Sequence, residues 1–490
     1  MKNRILTGAS GDAVVLTGIK LVTIVLGFLI TRLLSQYLSV YDYGTYSQIL
    51  LLVSTISSLT VLGMMDGVNF FYCSERDAEK RESYVATIFA LQCMIGAIMG
   101  ALILLCTGPL CAYFENPDIR KLIVFAALLP TLQNLLGMLQ ILLVSVGKAK
   151  LLAIRNLIVS VLRLAAVIVV VFVAQNVAVI LGTTLVLDVI QIALFGVFLR
   201  KNQCNIQIRQ VNLRLAKMIF SYCLPMAIFT VVNTLNRDLD KYLIAMWTDT
   251  ETLALYTNAS KQLPFDILSA SFCTVMLPKI TRLISHERYP EATKLYRSFL
   301  EIAYVPTWAM CCVALVASPQ LMMLLYSNKY TAGLNIFCVY ICVDMLRFAS
   351  ITLILSAAGK TKKLMLLGLG TLGMNTVLNF VLFRVAGIIG PAIATFVTSL
   401  IMGVLLLGFS AKELKARITD FFDGKYLLLF LVENALLSCL LIPLRRYLER
   451  ADLHYLWILL VVGSIYGITM LLLNGKRILR NMKTLNGTDV

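Results

Sequence analysis

Apolar residues along this chain gather into long unbroken runs, not into alternating positions or one-sided stripes. The first run is AVVLTGIKLVTIVLGFLITRLL from Ala13. A polar connector, SQYLSVYDYGTYSQ, follows it, and a second run opens at Ile49. Runs of about 20 apolar residues are long enough to cross the hydrocarbon core as helices. The alternating segments of about ten residues that a membrane-spanning barrel needs are not visible. Spans are expected at approximately 13–34, 46–65, 84–108, 121–144, 150–173, 177–199, 215–235, 252–276, 299–317, 333–357, 364–384, 388–409, 426–444 and 454–473. The pattern predicts an all-α polytopic membrane protein with about fourteen transmembrane helices.

Composition supports that pattern. Of 490 residues, 59% are hydrophobic and only 14% charged, against about 25% charged in soluble domains. A single soluble core stops growing beyond about 250–300 residues and could not hide this much apolar surface. The net charge of +17 invites a nucleic-acid reading, but the positions of the cations oppose it. With both termini cytoplasmic, most Lys and Arg fall in inside loops, as the positive-inside rule requires, and face anionic lipid. Arg445, Arg446 and Arg450 run against this trend and make the last hairpin the exception. The expectation is a multi-pass protein of the cytoplasmic membrane with membrane lipids and no nucleic acid as partners. Lys2 and Arg4 precede a run too long for a cleaved signal, which reads as an uncleaved anchor.

The chemistry of a catalytic or metal site is missing. The two histidines, His286 and His454, fall in unrelated loops, and the cysteines contain no CxxC and read as small buried hydrophobes. Gly359-Lys360-Thr361 resembles the tail of a phosphate loop, but Ile354 occupies the required upstream glycine position. No cofactor is expected, and the chain reads as a carrier and not an enzyme.

An internal repeat organises the runs. Tyr46 of YDYGTY matches Tyr256 of LALYTNAS 210 residues on, and Gly147-Lys148 matches Gly359-Lys360 at 212. The sixth and twelfth spans, from Val177 and Gly387, are again 210 apart. Two six-helix halves follow, 1–208 and 209–412, with an accessory helix pair and tail at 413–490. An even number of passes orients both halves alike, the parallel-repeat arrangement of some transporters, with a substrate path between them. The stretch Pro278–Phe299 is expected to lie as an amphipathic segment on the inner surface, with ERDAEKRE (Glu75–Glu82) as its counterpart. GAIMG (Gly96–Gly100) and GSIYG (Gly463–Gly467) are expected to permit close helix contact.

Ionisable groups inside spans are costly and need a partner or a cavity. Arg163 and Asp188 lie at equal depth on adjacent antiparallel spans and are expected to pair. Asp344 and Arg347, three residues apart, share a helix face. Both pairs read as structural, as does Glu433 on an accessory helix. Lys20 and Lys261 have no evident same-face carboxylate, since Asp266 is rotated away from Lys261, and Pro264 should kink that span. Two cations in a wet cleft would attract an anionic group such as a phosphate.

TRLLSQYLSVYDYGTYSQ (Thr31–Gln48) resembles the signature after the first helix of polysaccharide and oligosaccharide-lipid flippases, which belong to the multidrug/oligosaccharidyl-lipid/polysaccharide exporter superfamily. Tyr43, Gly44 and Tyr46 carry it, and Tyr256 marks the second copy within Asp238–Leu263. The Gly-Lys loops and LPKITRL (Leu277–Leu283) are also similar to the family. One departure is Ser39-Val40-Tyr41 where the family has Gly-Pro before its acidic residue. The resemblance implies alternating access around a cationic cavity, with a polyprenyl-diphosphate-linked sugar unit flipped outward for capsule, O-antigen or exopolysaccharide assembly. It implies diphosphate contacts from cations on the first and eighth helices, here Lys20 and Lys261, with Arg32 nearer the interface. A polysaccharide polymerase and other assembly components are implied partners. The rival readings are a cation-coupled multidrug exporter, for which Asp66 and Asp266 are the only acidic hints, a peptidoglycan-precursor flippase, and a membrane-embedded glycosyltransferase.

Overall fold

Helix follows helix along the described residues, mostly through short connections. In a computed structural model, residues 9–75, 77–146, 149–174, 176–201, 208–265, 267–348 and 352–487 are described, and they contain nineteen α-helices. The first half has α1 (Ala9–Tyr37), α2 (Val40–Val61), α3 (Met64–Ser74), α4 (Ala78–Leu105), α5 (Thr107–Tyr113), α6 (Ile119–Ser145), α7 (Ala149–Val173) and α8 (Val177–Lys201). The second has α9 (Ala216–Trp247), α10 (Thr250–Ala259), α11 (Ile267–Ser285), α12 (Tyr289–Val316), α13 (Ser318–Leu325), α14 (Leu334–Leu346), α15 (Leu353–Ala357), α16 (Thr361–Ala386) and α17 (Gly390–Glu413). The accessory pair α18 (Gly424–Arg450) and α19 (Tyr455–Gly487) closes the chain. The repeat is written into the helix starts. α2 and α10 begin 210 residues apart, α4 and α12 211, α5 and α13 211, α7 and α16 212, and α8 and α17 213.

Ten stretches of the described residues are long and apolar enough to cross a membrane, one of them spanning both α16 and α17. The first, seventh and eighth predicted spans are not among them. Only Leu21–Tyr37 of α1 qualifies, as a shorter apolar helix. α9 carries Arg237, Asp238, Asp240 and Lys241, and the eighth span is broken between α10 and α11.

Two connectors differ from expectation for local reasons. SQYLSVYDYGTYSQ is mostly helix: Ser39 caps α2 by accepting from the Asp42 N–H (2.9 Å), and its hydroxyl donates to Asp42 Oδ2 (2.6 Å). Asp249 does the same for α10 through the Thr252 N–H. Satisfying a first-turn donor starts the helix as soon as the chain allows. The second correction concerns Pro278–Phe299, whose apolar residues pack into the protein and not onto a lipid surface. α11 runs on to Ser285, burying Ile280 and Leu283 in the core, and α12 starts after a tight turn in which Glu287 is left-handed (φ 57°). Its counterpart holds another cap, Asp77 accepting from the Glu79 N–H at the start of α4.

The chain divides into two compact units, Met1–Leu255 and Tyr256–Val490. In the first, α6 is central, packing on α2, α3, α4 and α8, while α1 lies along α7. A Cβ at Gly96 would sit 2.2 Å from Thr131 Oγ1, so GAIMG brings α4 and α6 together as expected. GSIYG does not play that part: Gly463 and Gly467 meet nothing within 4 Å.

In the second unit α19 is fastened to α12 by charge. Arg477 donates to Glu301 through Nε (2.9 Å) and Nη2 (2.7 Å), and to Asp423 (3.0 Å), with Tyr426 3.5 Å beneath its guanidinium. Asn481 adds a 2.6 Å bond to the buried Glu301, and Arg297 reaches Asp423 at 3.3 Å. Glu433, read as structural, accepts from Asn474 (3.1 Å), whose Oδ1 accepts from Tyr426. Removing one partner of a buried, hydrogen-bonded pair leaves a charge uncompensated. Arg477→Gln should therefore destabilise the second unit by on the order of 3 kcal/mol, read as a lower melting temperature in detergent. The Arg477 hydrogen bond holds the Asp423 carboxyl below the usual carboxylate range. A depressed carboxyl contributes stability that is present above its unfolded value and lost as pH falls through the folded one. Wild type should lose melting temperature below about pH 4, and the variant should lose less over the same interval.

Candidate functional site

The first unit contains a polar cavity of about 430 Å³ walled by α1, α6, α7 and α8, the last three of which are long and apolar enough to cross a membrane. Arg163 Nη2 lies 2.7 Å from Asp188 Oδ1, which Gln191 Nε2 also approaches at 3.2 Å. Arg155, about two turns before Arg163 on α7, donates to Gln191 Oε1 and, at 2.8 Å, to Asn156 Oδ1. Thr23, Gln133, Gln140 and Ser160 complete the polar lining. Asp188 is fully buried, whereas the Arg163 side chain is 40% exposed and so open to the cavity. Asp188 Oδ2 and Nε of both arginines have no hydrogen-bond partner among the described residues. Arginine stays protonated in proteins, so two guanidiniums face one carboxylate. Sequence reasoning places the Arg163–Asp188 pair but not the cavity around it. It misses Arg155, which lies near the start of the same span. The signal that finds it is Gln191, one turn from Asp188 on the same face of α8.

The signature connector forms a second polar cluster. Asn116, fully buried after α5, donates to Thr45 Oγ1 (2.8 Å) and Gln48 Oε1 (2.7 Å) and accepts from Tyr41 (2.9 Å). Gln48 Nε2 donates to Thr250 Oγ1 at 3.1 Å. A Cβ on Gly44 would lie 2.3 Å from the Thr250 carbonyl oxygen, so this glycine lets the starts of α2 and α10, copies of one another in the repeat, touch. Tyr43 is buried and its ring lies 6.0 Å from that of Tyr46. A polar seam continues along α2 and α9. Tyr242 donates to Thr55 Oγ1 (2.6 Å), and the buried Asp238 holds Lys241 (2.7 Å) and Arg237 (2.9 Å).

In the second unit the break between α10 and α11 gathers other sequence-predicted residues. Pro264 lies in it, and the helix stops at Ala259 and resumes at Ile267. Unpaired backbone groups inside a bilayer cost several kcal/mol each, so a broken helix needs substitutes. Asp344 Oδ2 accepts the Leu263 N–H (3.0 Å), Arg347 Nη1 donates to the Leu263 carbonyl (3.2 Å), and Thr307 donates to the Phe265 carbonyl (3.2 Å). Asp344 and Arg347 also pair at 3.4 Å. They thus neutralise each other and clasp the break. Tyr256, fully buried at the end of α10, shares a 3.3 Å hydrogen bond with Tyr340 on α14.

The three cations assigned to a phosphate are spread along the chain. Lys20 falls on α1, but its side chain lies outside the described residues. Arg32 is half-buried towards the end of α1, and Lys261 is exposed within the break. Asp66 is exposed on α3, and Asp266 lies outside the described residues. Asp344→Ala should cost about 3–5 kcal/mol by stranding both the Leu263 N–H and Arg347, with Asp344→Asn in between. Melting in detergent reads this, and an alanine variant as stable as wild type would remove the clasp. Gly44→Ala should lower folded yield, because the clash is with backbone.

No curated relative matches the chain by sequence. Among solved structures it resembles the lipid II flippase MurJ in an inward closed conformation, at 16% identity and TM-score 0.74 over 95% of this chain and 100% of that one. It also resembles an inward-facing multidrug resistance MATE family transporter of the MOP superfamily, at 13% identity and TM-score 0.65 over 84% and 97%. A MOP superfamily transporter from Pyrococcus furiosus matches at 14% and 0.58 over 82% and 95%. At these identities the likeness is one of fold, and it is the fold of multi-pass membrane transporters. The model of a family described as polysaccharide biosynthesis protein matches residues 29–334, well over half of the chain, and the chain belongs to that family.

Proposed function

We propose that the protein is a flippase, not an enzyme. It moves a polyprenyl-diphosphate-linked oligosaccharide unit from the inner to the outer leaflet of the cytoplasmic membrane, for capsule, O-antigen or exopolysaccharide assembly. The observation that carries this reading is the polar cavity of the first unit, where Arg155 and Arg163 outnumber Asp188 in a chain of the polysaccharide biosynthesis family. A surplus of guanidinium at membrane depth favours an anionic headgroup, since Arg presents a planar fork to phosphate oxygens. The same surplus disfavours the cationic drugs that a multidrug exporter would carry. Lys20, Lys261 and Arg32 are proposed to add contacts to the diphosphate during transport. The halves 1–208 and 209–412 would open alternately to either side, with 413–490 as accessory helices and both termini cytoplasmic. A polysaccharide polymerase would act on the product.

Deleting the gene in its source organism should abolish surface glycan and strand lipid-linked oligosaccharide on the inner leaflet, and normal display would sink the reading. In complementation, Lys20→Ala and Lys261→Ala should each lose surface glycan at normal protein level, while Lys20→Arg and Lys261→Arg retain part of it. Full display by both alanine variants would take these lysines out of the mechanism.

A further inference from the structure

The cavity has a second side. An apolar groove of about 300 Å³ runs between α7 and α8, lined by Ile158, Leu162, Ile190, Leu194 and Phe195 among others. Ile158, Leu162, Ile190 and Leu194 are half or more exposed or close to it, at 53%, 49%, 48% and 64%, so the groove faces the bilayer. Arg155 and Gln191 line both the groove and the polar cavity. The two side chains are hydrogen-bonded to one another, and the Arg155 guanidinium lies 4.8 Å over the Phe195 ring. Arg155 and Gln191, with Val159 beside them, therefore form the wall between a cationic chamber and a hydrocarbon slot.

We propose that this is a lateral binding site for the lipid carrier, in which one isoprenoid chain lies in the α7–α8 groove while its phosphate enters the cavity towards Arg155 and Arg163. The site deepens the flippase reading and rests on it. Three features select the occupant. The chamber is cationic, so the head is an anion. The groove is apolar and open to lipid, so the tail is hydrocarbon and need never leave the bilayer. The groove, at about 300 Å³, is a narrow slot between two helices, which suits one isoprenoid chain better than the two chains of a phospholipid. Entry of the head requires the Arg155–Gln191 bond to open, and the phosphate then takes the place of the Gln191 carbonyl on the guanidinium. Replacing the neutral amide acceptor by an anion gives the exchange its direction, because the phosphate adds opposite charge and can meet the guanidinium fork with two oxygens.

The test uses the full-length protein in lipid nanodiscs, with a polyprenyl phosphate as probe and phosphatidic acid as competitor. Ile158→Trp and Leu194→Trp fill the groove, and Leu369→Trp on the lipid-facing side of α16 is the control. The groove variants should weaken polyprenyl phosphate binding by about tenfold or more, with the control unchanged and phosphatidic acid failing to compete. Wild-type affinity in the groove variants, or equal competition by phosphatidic acid, overturns the proposal. A photoreactive polyprenyl phosphate gives an independent readout should a variant fold poorly. It should label peptides within 151–162 or 187–195 of wild type, and labelling confined to other helices also overturns it. Surface glycan separates the two levels. If groove variants fail to bind the probe yet display glycan normally, the lateral site is not on the transport path and the flippase reading stands. If the gene deletion itself leaves glycan unchanged, the flippase reading fails whatever the probe does.

Discussion

Water is absent where most of this chain lies, so every polar group at that depth has to find its partner within the protein. The Leu263 peptide shows the constraint in its sharpest form. Its N–H and its carbonyl are both released by the break between α10 and α11, and both are taken up by one ion pair, Asp344 and Arg347. The pair is thereby more than a neutralised liability. It lets a membrane helix be interrupted without stranding its backbone, and an interrupted helix exposes a side chain such as Lys261 where a continuous one would bury its register in packing. The same rule explains Glu301, whose buried carboxylate is saturated by Arg477 and Asn481. There the outcome is rigid attachment of α19 to α12.

Legibility from sequence followed the range of the forces involved. Apolar run length and the 210-residue offset are local or periodic signals; the offset carried the repeat through to the helix starts, while ten stretches of the described residues, not fourteen, are long and apolar enough to cross a membrane. Caps are also local: Ser39 with Asp42 was a readable start for α2, and taking the connector as a break overlooked it. The clasp at Leu263 was not readable, because Asp344 acts across some eighty residues and nothing near Pro264 names its partner. Asp238 hides in another way. Four charged residues in a row of five read as a loop, whereas α9 keeps them helical by pairing Asp238 with Lys241 and by bonding Asp238 and Arg237 to Ser54 on α2. Cavities are the least legible feature of all. Arg163 and Asp188 could be paired by depth, but the space beside them depends on what α1 and α6 leave unfilled.

The short helices α5 and α13 add a point about the duplication. They begin 211 residues apart although neither stands out as an apolar run, so the repeat was kept at the level of backbone shape after its sequence signal faded. The breaks behave oppositely. α2 and α3 part at a left-handed Leu62-Gly63 step, while the equivalent α10 and α11 part earlier and over several residues. Duplicated halves keep their scaffold and diverge at the interruptions, which is where irregular backbone can face a cavity.

The presence of Asp188 in a cationic cavity has a physical logic of its own. Two bare guanidiniums in low dielectric would be costly to fold, and once a diphosphate arrived their attraction would hold it too firmly for release. An internal carboxylate answers both difficulties. It stabilises the site through the 2.7 Å bond from Arg163, and in the proposed flippase it would compete with the phosphate oxygens of a bound headgroup. Gln191 plays the weaker version of that part for Arg155, holding it with a neutral acceptor that an anion can displace. One arginine is thus strongly buffered and the other lightly. In the proposed flippase that grading would let the headgroup be gripped in one leaflet and surrendered in the other.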